Sequence, residues 1–259
     1  MPAAQRVRAL SDAADREPIA RVLREGELEL DGRLIDASNA SFVGFARLGA
    51  GPSEGARTMA EIRCVYKPIA GEAPLWDFPD GTLAHREVAA YLVSEAAGWD
   101  VVPITVFRDD GPFGAGMAQQ WIEVDEGYDL VAALQVGTPG LRRIALFDAV
   151  VNNTDRKGGH LLPLADGRLL GVDHGVCFSV EPKLRTILWG WRGTPLTGDE
   201  LAELEALRLA LHGPLRERLE AHLHGDEITA TVARVDALLA DPRFPMPNPD
   251  WPAVPWPPF

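Results

Sequence analysis

At 259 residues, 46% of them hydrophobic, the chain can bury one large core or two lobes sharing a cleft, yet no apolar run reaches the ~18–20 residues of a membrane span. Its net charge of −13 excludes broad binding to nucleic-acid phosphates or anionic membranes, which would be repelled outside a local basic patch. Two widely separated cysteines, Cys64 and Cys177, and a polar N-terminal stretch without an apolar signal core suit a cytoplasmic protein with free thiols.

Residues 1–26 read as a polar lead-in with a short helix at 19–24. Alternation then predicts strands at 27–30, 41–48 and 61–67, the last stopped by Pro68. A helix follows at 82–97, with Thr82 as N-cap and Gly98 as its stop. Strand patterns at 101–108 and 116–124 precede helices at 129–136 and 141–153. Residues 161–164 and 169–172 make a hairpin about Asp166 and Gly167, and helices fill 197–211, 214–223 and 226–240. Strands first and helices last indicates an α+β chain. It divides into a sheet-rich N-lobe with one helix (1–123), a mainly helical C-lobe (124–243) and a Pro/Trp-rich tail (244–259). The tail is expected to be extended and to pack on its own domain, because Trp251 and Trp256 would otherwise leave two indoles in water. The competing reading is a ligand for an SH3-like or WW-like partner.

The densest chemical signal runs from Phe147 to His160, where an apolar helix delivers Asn152, Asn153, Asp155, Arg156, Lys157, Gly158, Gly159 and His160. The glycines permit a tight turn and close approach of a bulky anion. Asp155, beside two cations, stays ionised and can accept a proton or orient a hydroxyl. Helix capping explains the glycines and cations equally well, but not the acid and the histidine. Asp173 follows an apolar strand and precedes His174 and Gly175, a turn that can aim a carboxylate at a metal. Lys67 ends a strand on the face of Val65, where an inward ammonium needs an anion. Glu87 supplies one from the otherwise apolar side of the 82–97 helix. Taken singly, a snorkelling lysine and a solvated glutamate read as well.

The order of these parts is that of a two-lobed kinase. The catalytic turn Asp155-Arg156-Lys157-Gly158-Gly159-His160 and the metal turn Asp173-His174-Gly175 resemble those of the phosphoinositide 3/4-kinase-like branch and of the HipA-type bacterial kinases, over about residues 28–196. By that resemblance Lys67 binds the α/β phosphates of ATP, Glu87 holds it, Asp155 is the catalytic base, and Asp173 is the main Mg²⁺ ligand. Ser38, Asn39 and Ser41 stand where these families cover the phosphates, although a plain polar hairpin turn accounts for them equally. Gln120, Trp121 and Ile122 match the adenine-facing hinge, where a core strand is as good a reading, and Val172 lies on the nucleotide beside Asp173. Two features depart from the pattern. No glycine-rich loop precedes Lys67, and His160 stands where the relatives have asparagine as second metal ligand. Imidazole suits Mn²⁺ better than Mg²⁺, so Mn²⁺ is favoured.

The resemblance implies an ATP-dependent phosphotransferase moving the γ-phosphate to a hydroxyl of a protein, itself included, or of a small molecule. The acceptor is not named by the sequence. Two alternatives stay open: a nucleotide-binding pseudokinase that acts as a signalling module, and nucleotidyl transfer on the same fold. No nucleic-acid partner or membrane insertion is expected.

Overall fold

The computed structural model describes residues 13–34, 39–49 and 60–259. They fall into two compact units: Met1–Ala84 with Pro103–Glu123, and His85–Val102 with Val124–Phe259. Ser38 lies outside the described residues.

The first unit is a five-stranded antiparallel sheet with one helix. Its strands are β1 (Glu27–Arg33), β2 (Phe42–Leu48), β3 (Ala60–Pro68), β4 (Thr105–Arg108) and β5 (Gly116–Gln120), in the order β1-β2-β3-β5-β4. Period-two alternation sets its faces. Along β3, Ile62, Cys64 and Tyr66 are buried while Arg63 is exposed. Helix α1 (Ala13–Glu25) begins well before the expected residue 19 and carries Pro18 inside it. It packs on β2–β5, burying Ile19, Ala20, Val22 and Leu23, whose i, i+3, i+4 spacing makes one apolar stripe. Each large member contributes about 1.5–3 kcal/mol of burial. Buried Arg108 donates through Nη1 to the Leu23 and Gly26 carbonyls at 2.7 and 2.8 Å, satisfying acceptors that the end of α1 leaves open.

Both later strands are shorter than the sequence pattern predicts. Pro103 has no N–H to give a ladder, and the Val101 carbonyl accepts from the Gly171 amide at 2.7 Å instead, so β4 starts at Thr105. The Trp121 amide still bonds the Arg63 carbonyl opposite it on β3 at 2.9 Å, but β5 ends at Gln120.

The second unit contains α2 (Leu83–Ala96), α3 (Leu130–Val136), α4 (Pro139–Val151), α5 (Gly198–Leu211), α6 (Pro214–Leu219) and α7 (Gly225–Ala240), with the hairpin β6 (Leu161–Pro163)–β7 (Leu169–Gly171). Caps set the ends. The side chains of Asp129, Thr138 and Thr197 accept from the first turns of α3, α4 and α5, and Thr197 with Glu200 closes a capping box. Gly98 at φ 66° follows α2 as the expected stop. At the start of α2, the Glu72 carboxylate takes the Leu83 and Ala84 amides at 3.1 and 2.8 Å, a long-range cap that no local pattern signals. Arg86, on α2, bonds Glu227 of α7 at 2.5 Å and the Cys177 carbonyl at 2.8 Å. These bonds are one reason that residues 85–102 belong with the chain after 124 rather than with the sheet.

His85 and His222 face each other, Nδ1 to Nδ1, at 3.1 Å. Burial, then the neighbouring His85 and Arg218, push His222 down from 6.5 to about 4. Between those values the unfolded chain binds the extra proton, so stability is full above 6.5 and is lost as pH falls towards about 4. Urea midpoints measured across this window should fall less steeply for His222→Gln than for the wild type; equal slopes would remove the assignment.

The tail packs on its own unit, as expected. Phe244 is buried and paired by backbone to Thr194, and Trp251 lies under the Lys183 ammonium at 5.1 Å. Trp256 departs from the expectation: it is 88% exposed. Among the described residues no helix is long and apolar enough to cross a membrane.

Candidate active site

Beyond Arg142 and Arg143, helix α4 is apolar except at Asp148, where Leu146, Phe147, Ala149, Val150 and the acid itself are all buried. A lone carboxylate in that setting would cost several kcal/mol. It is met by Arg156, also fully buried, through Nε to Oδ2 at 3.0 Å and Nη2 to Oδ1 at 2.9 Å, and by Asn153 Nδ2 at 3.0 Å. Burial alone would lower the Arg156 pKa; the Asp148 carboxylate more than offsets it, so the guanidinium stays charged. The same guanidinium donates to the Val172 carbonyl at 3.0 Å and lies 2.7 Å from His174 Nε2. One buried cation therefore ties the turn carrying Asp155 to the turn carrying Asp173.

Asp155 sits at the mouth of this network, its side chain 23% exposed. Its amide donates to Asn153 Oδ1 at 2.9 Å, which follows from Asn152 capping α4 at φ 52° and reversing the chain. Lys157 Nζ lies 3.1 Å from one carboxylate oxygen and Arg185 Nη2 lies 3.1 Å from the other. The two cations hold the carboxylate in one orientation, as a hydroxyl-orienting group needs.

Asp173 has φ 62°, a left-handed backbone that aspartate tolerates better than most side chains, and its side chain is 50% exposed. His160 Nε2 is 3.3 Å from its carboxylate. Burial first, then Arg156 and Lys157, lower the His160 pKa, which leaves the ring neutral near pH 7. Glu87, 1% exposed, accepts the His174 amide at 2.8 Å. Its placement thus includes a direct hold on the turn after Asp173. Asp155, His160, Val172, Asp173 and Glu87 are brought together in the second unit by these bonds. Val172 is half-buried, with its amide on the His160 carbonyl at 3.0 Å.

In the first unit, Lys67 pairs with Met117 across β3 and β5. At the next step Gly116 is required, since a Cβ there would lie 2.4 Å from the Lys67 carbonyl oxygen. Alternation puts Val65, Lys67, Met117 and Gln119 on one face, and Cys64, Tyr66, Ala118 and Gln120 on the other. Gln119, rather than Gln120, therefore shares the face of Lys67. Gln120 Oε1 and Trp121 Nε1 are buried without a hydrogen-bond partner among the described residues, the kind of orphaned group a ligand can satisfy. Ile122, next along the chain, is half-buried. Asn39 Oδ1 accepts the Ala73 amide at 2.7 Å, and buried Ser41 donates to the Asn39 carbonyl at 3.4 Å, so both have local roles in the turn.

Sequence reasoning missed Asp148 and the Arg185 partner of Asp155. A carboxylate in the middle of Leu146-Phe147-Asp148-Ala149-Val150 was a readable signal, because a buried acid needs a buried cation. Arg185 was legible only as a cation that could receive an anionic acceptor, and nothing local pairs it with Asp155, 30 positions away.

No protein-family model matches the chain. Protein Rv2133c of Mycobacterium tuberculosis is 44% identical over 273 residues, covering 92% of this chain and 94% of that protein. Hydra Fam20, solved with sugar, is similar at TM-score 0.55 and 12% identity, over 90% of this chain and 89% of that one. The Golgi casein kinase with Mn/ADP bound is similar at TM-score 0.57 and 14% identity, over 89% and 76%. At such identities the likeness shows the fold alone: an α+β, kinase-like fold, as the order of strands and helices predicted.

Proposed function

The chain belongs to the family of the Mycobacterium tuberculosis protein Rv2133c, and on that footing we propose that it is an ATP-dependent phosphotransferase moving a γ-phosphate to a hydroxyl of a protein or small molecule. The observation that carries this reading is the Arg156 network, which ties together two turns of one unit, each carrying a partly exposed acid, Asp155 and Asp173. Structural packing alone does not require both acids to be aimed outward from a shared buried cation. The spacing of Asp155-Arg156 and of Asp173-His174-Gly175 supports placing the chain beside the phosphoinositide 3/4-kinase-like and HipA-type kinases. The acceptor hydroxyl would be oriented by Asp155, while Lys67 is assigned to the nucleotide phosphates and Gln120, Trp121 and Ile122 to the adenine.

A divalent ion fits the donor set only as a metal carried by phosphates. Among the described residues no group of three or more His, Cys, Asp and Glu could hold one alone. One carboxylate and one imidazole, completed by phosphate oxygens, is the kind of site Mg²⁺ or Mn²⁺ uses. Such an ion neutralises charge on the transferring phosphoryl group. Asp173 would be the main ligand. His160 is set to orient it: with Nδ1 towards the Lys157 amide at 3.5 Å, Nε2 carries the proton and donates to Asp173. Ligation by His160 requires the other tautomer, which Mn²⁺ would draw out better than Mg²⁺. Transfer should be faster with Mn²⁺, and His160→Asn should shift the preference towards Mg²⁺. Equal rates with both ions, unchanged in the variant, would refute the role of His160.

Purified protein incubated with γ-labelled and α-labelled ATP separates the readings. Label from the γ position alone is the expected result. Label from the α position would mean nucleotidyl transfer, and nucleotide binding without transfer would mean a pseudokinase. One observation favours that last reading: both oxygens of Asp155 are already engaged by cations.

A further inference from the structure

The two cations that hold Asp155 share a feature outside the turn itself. Each is followed in sequence by a residue whose backbone amide is bonded to the C-terminal tail. After Lys157, the Gly158 amide donates to the Pro258 carbonyl at 2.8 Å; after Arg185, the Thr186 amide donates to the Ala253 carbonyl at 3.0 Å. The Ala253 carbonyl also accepts Trp189 Nε1 at 2.7 Å, and Asn248 Nδ2 donates to the Pro182 carbonyl at 2.9 Å. On its other side Thr186 forms a parallel bridge with Arg156, with the Arg156 amide on the Arg185 carbonyl at 3.0 Å. The catalytic turn, the 182–189 segment and the tail thus lie side by side as three bonded chains.

Gly158 is fitted to the tail. A Cβ there would fall 2.2 Å from Cδ1 of the Phe259 ring, so any larger residue must displace that ring, on the residue directly after Pro258. The tail suits this work. Residues 249–259 contain five prolines, which fix φ and leave carbonyls that accept without competing amides. A chain already stiff loses little entropy on docking.

We propose that residues 248–259 are a positioning element for Asp155: by holding Gly158 and Thr186 they fix Lys157 and Arg185, and through them the carboxylate. This rests on the phosphotransfer reading above for its kinetic consequence, but not for its structural one. Without the tail, the two amides and the Trp189 indole lose their acceptors, and the cations that orient Asp155 gain freedom.

Three variants test it: a chain ending at residue 247, Gly158→Ala, and Trp256→Ala as a control on an 88% exposed tail residue that makes none of these bonds. In the first two, kcat for γ-phosphate transfer should fall about ten- to hundredfold with the KM for ATP little changed, the signature of a misplaced reacting group. Amide exchange at Gly158 and Thr186 should accelerate in both. The control should match the wild type, and peptide 248–259 added in trans should restore part of the rate to the shortened chain. A rise in kcat on shortening would overturn the proposal in favour of an autoinhibitory tail. An unchanged kcat, with only a lower melting temperature, would reduce the tail to a stabilising role and also overturn it. If the wild type transfers no phosphate, the phosphotransfer reading fails by itself; exchange at Gly158 and Thr186 then decides whether the tail holds the turn.

Discussion

Asp155→Ala should lower γ-phosphate transfer by about 10²–10⁴-fold, the range typical of losing a positioned general base. Nucleotide affinity should stay close to that of the wild type, because Asp155 is assigned to the acceptor hydroxyl and Lys67 to the nucleotide phosphates. The variant should also remain folded. Its carboxylate is partly exposed and its partners, Lys157 and Arg185, lie at 25% and 30% exposure, so the ion pairs lost are of the kind worth about 0–1 kcal/mol. Asp155→Asn is the stricter form, since it keeps the shape and removes only the charge. Transfer by either variant at more than a tenth of the wild-type rate would assign Asp155 a structural role.

Opposite behaviour is expected at the hidden end of the same network. Asp148→Asn or Arg156→Met each leaves one buried charge without its partner, a loss of about 3–5 kcal/mol. Arg156→Met also strips the donor from the Val172 carbonyl, so it should be the worse of the two. Against a total stability of about 5–15 kcal/mol, this is enough to unfold much of the population near body temperature. The urea midpoint measures it, with the slope checked for constancy. Joining the changes as Asp148→Leu with Arg156→Met should recover stability, since a matched apolar pair avoids desolvating two ions. Activity should not return with it, because no guanidinium then spans the turns of Asp155 and Asp173. If the double variant were as unstable as the worse single one, the pair would be more than an ion pair in an apolar site. If it were fully active, Arg156 would not position either acid.

These two expectations differ because one acid is visible in the sequence as chemistry and the other only as an anomaly. Asp155 stands among glycines and cations, a combination that capping does not exhaust. Asp148 stands among valines and leucines, and its meaning depends on what the folded chain brings to it. Lys67 was read as an inward lysine from alternation; β3 keeps period two from Ala60 to Pro68, but that period sets Lys67 with half-buried Val65, on the face opposite buried Ile62, Cys64 and Tyr66. Gln120 was less so: it lies in the right strand, but the register with β3 puts it on the face of Cys64, and Gln119 on that of Lys67. A period-two pattern fixes relative faces within a strand and cannot say where a short strand ends, so 116–124 ran on past Gln120, the last residue of β5. Glu87 was read as the partner of a lysine from its place on an apolar helix side. Its bond to the His174 amide joins residues 87 positions apart, a separation at which local pattern carries no information.

From the amino-acid order alone came the run of helices and strands, the Gly98 stop, and the turns that carry Asp155 and Asp173. All of these are set by neighbours within a few residues, through backbone periodicity and short-range hydrogen bonds. Only the tertiary structure decided which buried cation meets Asp148, that Glu72 caps α2, that Arg185 and Lys157 share Asp155, and that the tail lies on Gly158 and Thr186. Most of those pairings join residues far apart in the chain, and even Asp148 and Arg156, eight positions apart, meet only after Asn152 reverses the chain. They are selected by the cost of leaving a charge or an amide unsatisfied in a packed interior, a cost that exists only once the chain has closed around them.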